Sequence, residues 1–506
     1  MAPHWRIVKR LGPTIIKNAI ANIVRGGASA TVALVLPHFL TRSLDIDRYS
    51  AWVLMLQIAA YATYLDFGLQ TAVARFVAQA MERGEDAKRD AIVSTAFRLL
   101  AMAGIVALLV ALIVTWKIRA IFHGAPWALI GELRGGVLLL SASTAVLLPL
   151  SVFTGVLIGL HRNEYPALAI GGSRLLGAAG VLLLMRHTHS LVWLAAVLGS
   201  CNVAGGLLQY AICRRLLPAL RIRFSTVTRE ITRELVHYCA GLTVFAFAML
   251  LVSGLDVTIV GYFAFAAAGY YGVAASIVGL VTGTAASIFL ALIAPMAVLQ
   301  ARAEHDRIRD LVLDSSRLGN SASLLIVVLC LLAGKTLLAL WVGPSYAALA
   351  FPILEILICA QAIRATLSSY SIALIATGQQ NYGISGALAE GLCNLIVSVI
   401  AAMLLGPIGV AWGTAVGAAC GLVWAVFYTM RRAKEIRINA AAFARETLLR
   451  PLVSFLPLFL YLALHARYHV SPLFMIPAAL LTAGLLFWIG GVSFHPPAVM
   501  GFNAQR

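Results

Sequence analysis

Charged side chains inside long apolar stretches are the residues of this sequence best suited to chemistry. Arg25, Arg174 and Arg364 each lie well within such a stretch. An ionised side chain near the middle of a bilayer is costly unless it faces a cavity or a partner, so these positions indicate function. The planar guanidinium binds phosphate oxygens in pairs and keeps its charge at physiological pH. The three arginines therefore predict an anion site for which a phosphate group is the best-suited ligand.

Polar side chains recur around these arginines at helical spacing. A step of three or four residues places side chains on one face of a helix, and three stripes follow it: Thr14, Asn18, Asn22, Arg25 and Ser29; Gln361, Arg364, Ser368 and Ser371; Glu390, Asn394 and Ser398. We expect the stripes to line one aqueous cavity. The predicted substrate-binding residues are Arg25, Arg174, Arg364, Asn18, Asn22 and Gln361. Alternatively, each stripe joins helices by hydrogen bonds, with Arg364 paired to Glu390.

Two acidic residues lie in the same kind of environment. Asp256 and Glu390 each fall inside an apolar segment. A carboxylate that exchanges its proton between two access states can couple transport to an ion gradient, so both are predicted coupling residues. Structural pairing with a cation is the alternative for each.

The composition excludes an ordinary soluble protein. The 506 residues are 61% hydrophobic and only 11% charged, whereas soluble domains carry about 25% charged residues. The net charge of +18 is typical of cytoplasmic loops that face anionic lipid, so a nucleic-acid partner is not expected. No cofactor or metal is implied. The sequence also lacks a P-loop, which excludes direct ATP hydrolysis by that motif.

Runs of about twenty apolar residues predict an all-α membrane protein with fourteen transmembrane helices. The predicted segments are 14–40, 50–70, 92–116, 136–160, 165–185, 190–212, 235–262, 268–296, 318–340, 351–377, 382–405, 408–430, 450–466 and 471–491. With a cytoplasmic N-terminus, inward segments hold 25 Lys and Arg residues and outward segments hold 7. This asymmetry predicts that both termini are cytoplasmic.

Two long predicted inward loops, 213–234 and 431–450, divide the chain into blocks of six, six and two helices. We therefore predict an N-terminal half at 1–232, a C-terminal half at 233–430 and two additional helices at 431–506. DRYSA at 47–51 and AGYYG at 268–272 occupy corresponding places at an offset of 221. The match favours two parallel halves around a central cavity.

Several stretches resemble one family. They are YLDFGLQTAVARFVAQ at 64–79, TGVLIGLHRNEYPALA at 154–169, LDVTIVGYFAFAAAGYYGVA at 255–274, ALWVGPSYAALAFPIL at 339–354, ATGQQNYG at 376–383 and LLGPIGVAWGTAVG at 404–417, together with the segment that begins at Thr14. In this order they resemble the bacterial polysaccharide flippases of the multidrug/oligosaccharidyl-lipid/polysaccharide (MOP) exporter superfamily.

The resemblance implies a non-enzymatic carrier in the bacterial cytoplasmic (inner) membrane. Its implied cargo is an undecaprenyl-diphosphate-linked oligosaccharide, an anionic lipid-linked sugar used for lipopolysaccharide or other surface polysaccharide. Membrane lipid, a coupling proton or sodium ion and other polysaccharide-assembly proteins are the implied partners. Two alternatives remain: an ion-coupled drug antiporter of the same superfamily, and an integral membrane glycosyltransferase or polymerase. An antiporter is expected to have an acid-rich cavity, and an enzyme large outward loops with catalytic carboxylates. The loop 117–135 contains one acid, Glu132.

Overall fold

The computed structural model describes residues 26–223, 227–433, 435–468 and 471–488, and within them helices are joined by turns and loops, with no strand. Twelve helical segments of the described chain are long and apolar enough to cross a membrane. They coincide with twelve of the fourteen predicted segments. The other two correspond to a helix at 26–43 and to the shorter apolar helix Met475–Trp488. The predicted fold class, an all-α multi-pass membrane protein, is confirmed.

The chain forms two compact units. Unit 1 comprises Met1–Leu250 and Gly254–Ser276, and unit 2 comprises Leu251–Ser253 and Ile277–Arg506. The described helices of unit 1 are α1 (26–43), α2 (Ile46–Tyr61), α3 (Leu69–Glu82), α4 (Asp86–Ile121), α5 (Trp127–Gly159), α6 (Glu164–Leu184), α7 (Leu191–Leu216), α8 (Arg229–Met249) and α9 (Asp256–Phe263). The division of the sequence at 232 and 430 stays a prediction.

Unit 1 has its core where α3, α4 and α5 meet α8. Val77, Leu100, Phe153 and Leu235, one from each of these helices, belong to one cluster of buried side chains. Burial of such side chains stabilises by about 1.5–3 kcal/mol each in water, but between membrane helices close packing carries the gain because lipid is equally apolar. Trp116 on α4 is exposed, as expected of a face that meets lipid.

Helix α10 (Ala267–Leu290) continues the chain from unit 1 into unit 2. The remaining helices are α11 (Ile293–Ala301), α12 (His305–Val342), α13 (Pro344–Ala365), α14 (Ser368–Ala376), α15 (Gln380–Leu405), α16 (Pro407–Trp424), α17 (Met430–Arg432), α18 (Ala440–Phe443), α19 (Arg450–Tyr468) and α20 (Met475–Trp488). Pro344 and Pro407 occupy the first turns of α13 and α16, where a missing N–H costs nothing. The last two helices pack on α12 through Leu324, Phe455 and Ala478.

Predicted helices seven and ten are interrupted within their membrane-spanning lengths. The seventh, expected to be continuous over 235–262, ends as α8, passes through a π-helical turn at Leu250–Gly254 and restarts as α9. The tenth stops at Ala365 and restarts at Ser368. Interruptions free backbone carbonyls, which lipid cannot satisfy, so neighbouring groups of the protein must do so.

One turn occurs twice, once in each unit. Gly84 and Ala303 both adopt left-handed backbone conformations, with φ of 68° and 55°. The following residues, Glu85 and Glu304, donate their backbone N–H groups back to the carbonyls of Ala80 and Leu299, at 2.9 and 3.0 Å. Both glutamates are the N-cap residues of the next helices, α4 and α12. This Schellman-type turn is therefore repeated at an offset of 219 residues.

The helices after these turns repeat an ion-pair cluster as well. Arg89 and Arg309 each bind one carboxylate three residues earlier and one directly after, which are Asp86 and Asp90, and Asp306 and Asp310. Arg89 is 3% exposed, whereas the Arg309 side chain is 37% exposed. The motif D-x-x-R-D thus occurs twice, once with a buried arginine and once with an exposed arginine.

Candidate functional site

The predicted site residues fall into three groups. Asn18, Asn22 and Arg25 lie outside the described residues. Arg174 and Asp256 belong to unit 1. Gln361, Arg364 and Glu390 belong to unit 2.

Arg174 lies on α6 and meets the polar stripe of α1. Its side chain is exposed, and its Nη1 donates a hydrogen bond to Oγ of Ser29. Ser29 is the last member of the stripe predicted from the spacing of polar residues in the first helix. The structure therefore brings a predicted anion-binding arginine to that helical face at its described end.

Arg364 lies in the last turn of α13 and forms an ion pair with Glu390 on α15. Its Nε lies 2.5 Å from Oε1 of Glu390, and the two side chains are 19% and 14% exposed. A cation in the last turn of a helix also interacts favourably with the helix dipole. Gln361, one turn earlier on α13, is buried. The pairing that the sequence left open as an alternative for Arg364 and Glu390 is thus present.

The same arginine satisfies the interrupted backbone between α8 and α9. Nη2 of Arg364 donates to the carbonyl of Val252 at 3.1 Å. Asn394, one turn after Glu390 on α15, donates from Nδ2 to that carbonyl at 2.7 Å and to the carbonyl of Leu251 at 3.3 Å. Two side chains therefore replace the bonds that a continuous helix would have made. We call Val252, Arg364, Glu390 and Asn394 the unit 2 polar cluster.

A ladder of glycines at every fourth position of α16, Gly409, Gly413, Gly417 and Gly421, explains how α15 can carry such polar groups. A Cβ at Gly417 would lie 2.8 Å from Cβ of Asn394, and a Cβ at Gly421 would lie 2.9 Å from Oε2 of Glu390. Only glycine lets the two helices approach this closely. Ser398, one turn beyond Asn394, is buried and donates to Oδ1 of Asn394 at 2.8 Å within α15 and to the carbonyl of Val410 on α16 at 3.3 Å. Asn394 and Ser398 thus join helices by hydrogen bonds, which was the alternative to a cavity-lining stripe.

Asp256 is buried at the start of α9, just after the interruption. The same stretch of chain contacts α2, because Gln57 donates to the carbonyl of Gly254 at 2.7 Å and the hydroxyls of Tyr61 and Thr258 form a hydrogen bond. Unit 1 therefore holds a buried carboxylate in a stretch of chain whose residues Gly254 and Thr258 bond to α2.

Sequence reasoning missed the carbonyl acceptors at Leu251 and Val252 and the contacts from Gln57 and Tyr61. The signal available was the SGLD sequence at 253–256, because glycine and an acidic residue are unusual in the middle of an apolar helix. It also missed the buried cluster around Arg89, although D-x-x-R-D at 86–90 recurs at 306–310.

Comparisons with known proteins agree with this architecture. The family model described as "Polysaccharide biosynthesis protein" matches residues 15–300. The chain is similar in structure to a lipid II flippase, MurJ, in an inward closed conformation, with a TM-score of 0.68 and 12% identity over 94% of this chain and 98% of that one. It is also similar to an inward-facing multidrug resistance transporter of the MATE family in the MOP superfamily (TM-score 0.60, 15% identity, 85% and 96% covered).

A MATE transporter from Vibrio cholerae has the same fold, with a TM-score of 0.59 and 14% identity over 85% of this chain and 99% of that one. No curated protein matches the sequence. Because the sequence identities are only 12–15%, these structural matches establish the fold alone.

Proposed function

This chain belongs to the polysaccharide biosynthesis protein family, and from that premise we propose that it is a flippase for an anionic lipid-linked oligosaccharide. The family predicted from the sequence is confirmed, and the fold is that of MOP-superfamily transporters. The proposed cargo carries an undecaprenyl-diphosphate-type head group, which crosses from the cytoplasmic to the outer leaflet by alternating access while the lipid chain stays in the bilayer. The proposed location is the bacterial cytoplasmic membrane, with both termini inside.

The observation that carries this proposal is the position of Arg174. It presents a guanidinium on a membrane-spanning helix, exposed and hydrogen-bonded to Ser29 of the polar stripe on α1. The stripe continues in the sequence through Arg25, Asn22 and Asn18. Guanidinium groups suit a diphosphate, and amide and hydroxyl groups suit sugar hydroxyls. We propose that this face of unit 1 binds the head group.

The unit 2 polar cluster supports a coupling role for Glu390. The Arg364–Glu390 pair is electrically neutral as long as the carboxylate is ionised. A proton on Glu390 would remove the counter-ion of Arg364 and leave the guanidinium bound to the Val252 carbonyl. A cation without its counter-ion in a low-dielectric site attracts an anion strongly. We propose that protonation of Glu390 makes Arg364 available to an anion.

We propose a coupling role for Asp256 as well, from its burial at the restart of α9. The enzyme alternative would need a catalytic carboxylate, and Glu132 is the one acid of the loop 117–135. Both of its oxygens have structural partners, because Oε1 accepts from Nη2 of Arg48 at 3.2 Å and Oε2 accepts from the backbone N–H of Leu191 at 2.8 Å. A drug antiporter shares the fold, but its cationic cargo does not suit the arginine on α6.

Reconstitution into liposomes tests the proposal. The probe is a fluorescent oligosaccharide linked to undecaprenyl diphosphate, and its accessibility on each leaflet is followed over time. Wild-type protein should accelerate translocation over empty vesicles, and Arg174→Gln should reduce the rate about tenfold or more, as loss of a hydrogen bond to a charged group implies. Arg98→Gln, a change at another exposed arginine of unit 1, is the matched control and should retain the wild-type rate. Equal rates in wild type and empty vesicles under every ion gradient would refute the function.

A further inference from the structure

Rings and arginines are arranged together where α16 ends. Trp424, Phe427, Tyr428, Arg431 and Arg432 follow one another at helical spacing through the π-helical turn Ala425–Thr429 and α17. The Arg432 guanidinium carbon lies 4.2 Å from the centroid of the Tyr428 ring, and its Nη1 donates to the Tyr428 hydroxyl at 2.6 Å. The Arg431 guanidinium carbon lies 5.7 Å from the Phe427 centroid. We call these five residues the arginine–aromatic patch.

The patch carries positive charge that no carboxylate of the described residues neutralises through an ion pair. Within the described part of the chain, neither Arg431 nor Arg432 forms an ion pair with an acid. The nearest acid in the sequence, Glu435, accepts from Nε2 of Gln300 at 3.2 Å and lies 3.5 Å from Nδ1 of His305. Cation–ring contacts orient the two arginines and leave guanidinium N–H groups available to an anion.

The neighbourhood of the patch points to a lipid as the source of that anion. The apolar segment Pro407–Arg432 ends at the two arginines, so they lie where a membrane span meets water. Phe427 is 60% exposed, and Val423, one turn earlier, is exposed too. A soluble anion makes no use of these apolar side chains, whereas an acyl chain packs along them. The positive-inside asymmetry places this end of α16 on the cytoplasmic side, where anionic lipids attract basic residues.

We propose that the arginine–aromatic patch binds an anionic phospholipid of the cytoplasmic leaflet. The lipid phosphate is bound by the guanidinium groups of Arg431 and Arg432, and an acyl chain lies along Phe427 and Val423. This site is separate from the proposed cargo site on unit 1 and does not depend on the transport function.

Lipid retention in nanodiscs tests the site. Full-length protein is placed in phosphatidylcholine discs that contain a minor fraction of phosphatidylglycerol, and the lipids that remain bound are counted by native mass spectrometry. Each basic residue near an anionic surface contributes about a fivefold preference, so Arg431→Gln with Arg432→Gln should lower the preference for phosphatidylglycerol by about fivefold to 25-fold. Arg431→Lys with Arg432→Lys should restore much of it.

The chain offers a matched control at the predicted outer interface. Lys117 and Arg119 also lie over aromatic rings, those of Trp116 and Trp127, so Lys117→Gln with Arg119→Gln removes the same charge from a similar setting. Because a nanodisc has phosphatidylglycerol in both leaflets, that variant loses the general attraction of basic residues to an anionic surface but no bound lipid, so it should lower the preference by less than the patch variant does. The proposal is overturned if the patch variant keeps the wild-type preference, if both variants lose it equally, or if excess pyrophosphate displaces the lipid as well from the patch variant as from wild type. Unchanged thermal unfolding of the variants ensures that the comparison concerns binding.

Discussion

The ion pair between Arg364 and Glu390 gives the sharpest quantitative prediction. Arg364→Gln removes the counter-ion of Glu390, which is 14% exposed, and one of two donors to the Val252 carbonyl. Removing one partner of a buried pair costs about 3–5 kcal/mol, and the partial exposure of both side chains favours the lower end. About 3 kcal/mol lowers Tm by roughly 6–12 °C in a unit of 150–250 residues.

A double-variant cycle isolates the pair itself. Tm is measured for wild type, Arg364→Gln, Glu390→Gln and the double variant in one detergent. Close charge pairs couple by about 1.5 kcal/mol or more, whereas an ordinary interhelical hydrogen bond in a membrane averages about 0.6 kcal/mol. The coupling should therefore exceed the hydrogen-bond value.

Arg309→Gln is the matched control, because this arginine of the same unit has exposed acidic partners. Exposed pairs contribute about 0–1 kcal/mol, so its Tm should change by less than about 4 °C. A coupling near zero, with Arg364→Gln no worse than Arg309→Gln, would refute the account of the cluster.

Two further predictions concern packing and topology. Gly413→Ala should destabilise the α15–α16 pair by about 1–3 kcal/mol, since its Cβ would lie 2.6 Å from Cα of Ser398. Gly279→Ala is the control and should leave Tm unchanged, because no atom lies within 4 Å of its added Cβ. Equal Tm values for the two variants would contradict the tight approach of the helices. The orientation is tested in a variant without its native cysteines. Arg221→Cys should react with an impermeant maleimide only in inside-out vesicles, and His187→Cys only in right-side-out vesicles. The opposite pattern would reverse the predicted orientation.

The sequence was sufficient for the position and order of the apolar segments, because an apolar run long enough to span a bilayer has few alternatives. It was insufficient for the partners of polar residues. The stripe with Asn394 and the ladder with Gly417 were both visible as spacing, but spacing does not tell which faces of two helices meet. Asn394 contacts a carbonyl more than a hundred residues away, at Val252, and a break in a helix has no periodic signature. Arg89 was overlooked because it lies in a segment of mixed charges that reads as a loop.

The interrupted segment at 250–254 has a consequence for the biogenesis of this protein. The carbonyl of Val252 receives its hydrogen bonds from Arg364 and Asn394, which lie 112 and 142 residues later in the chain. While the ribosome is still making those residues, the nascent segment holds backbone oxygens that the hydrocarbon layer cannot solvate. Until α13 and α15 have been inserted, water or the insertion machinery must occupy those oxygens, so this stretch matures late during synthesis.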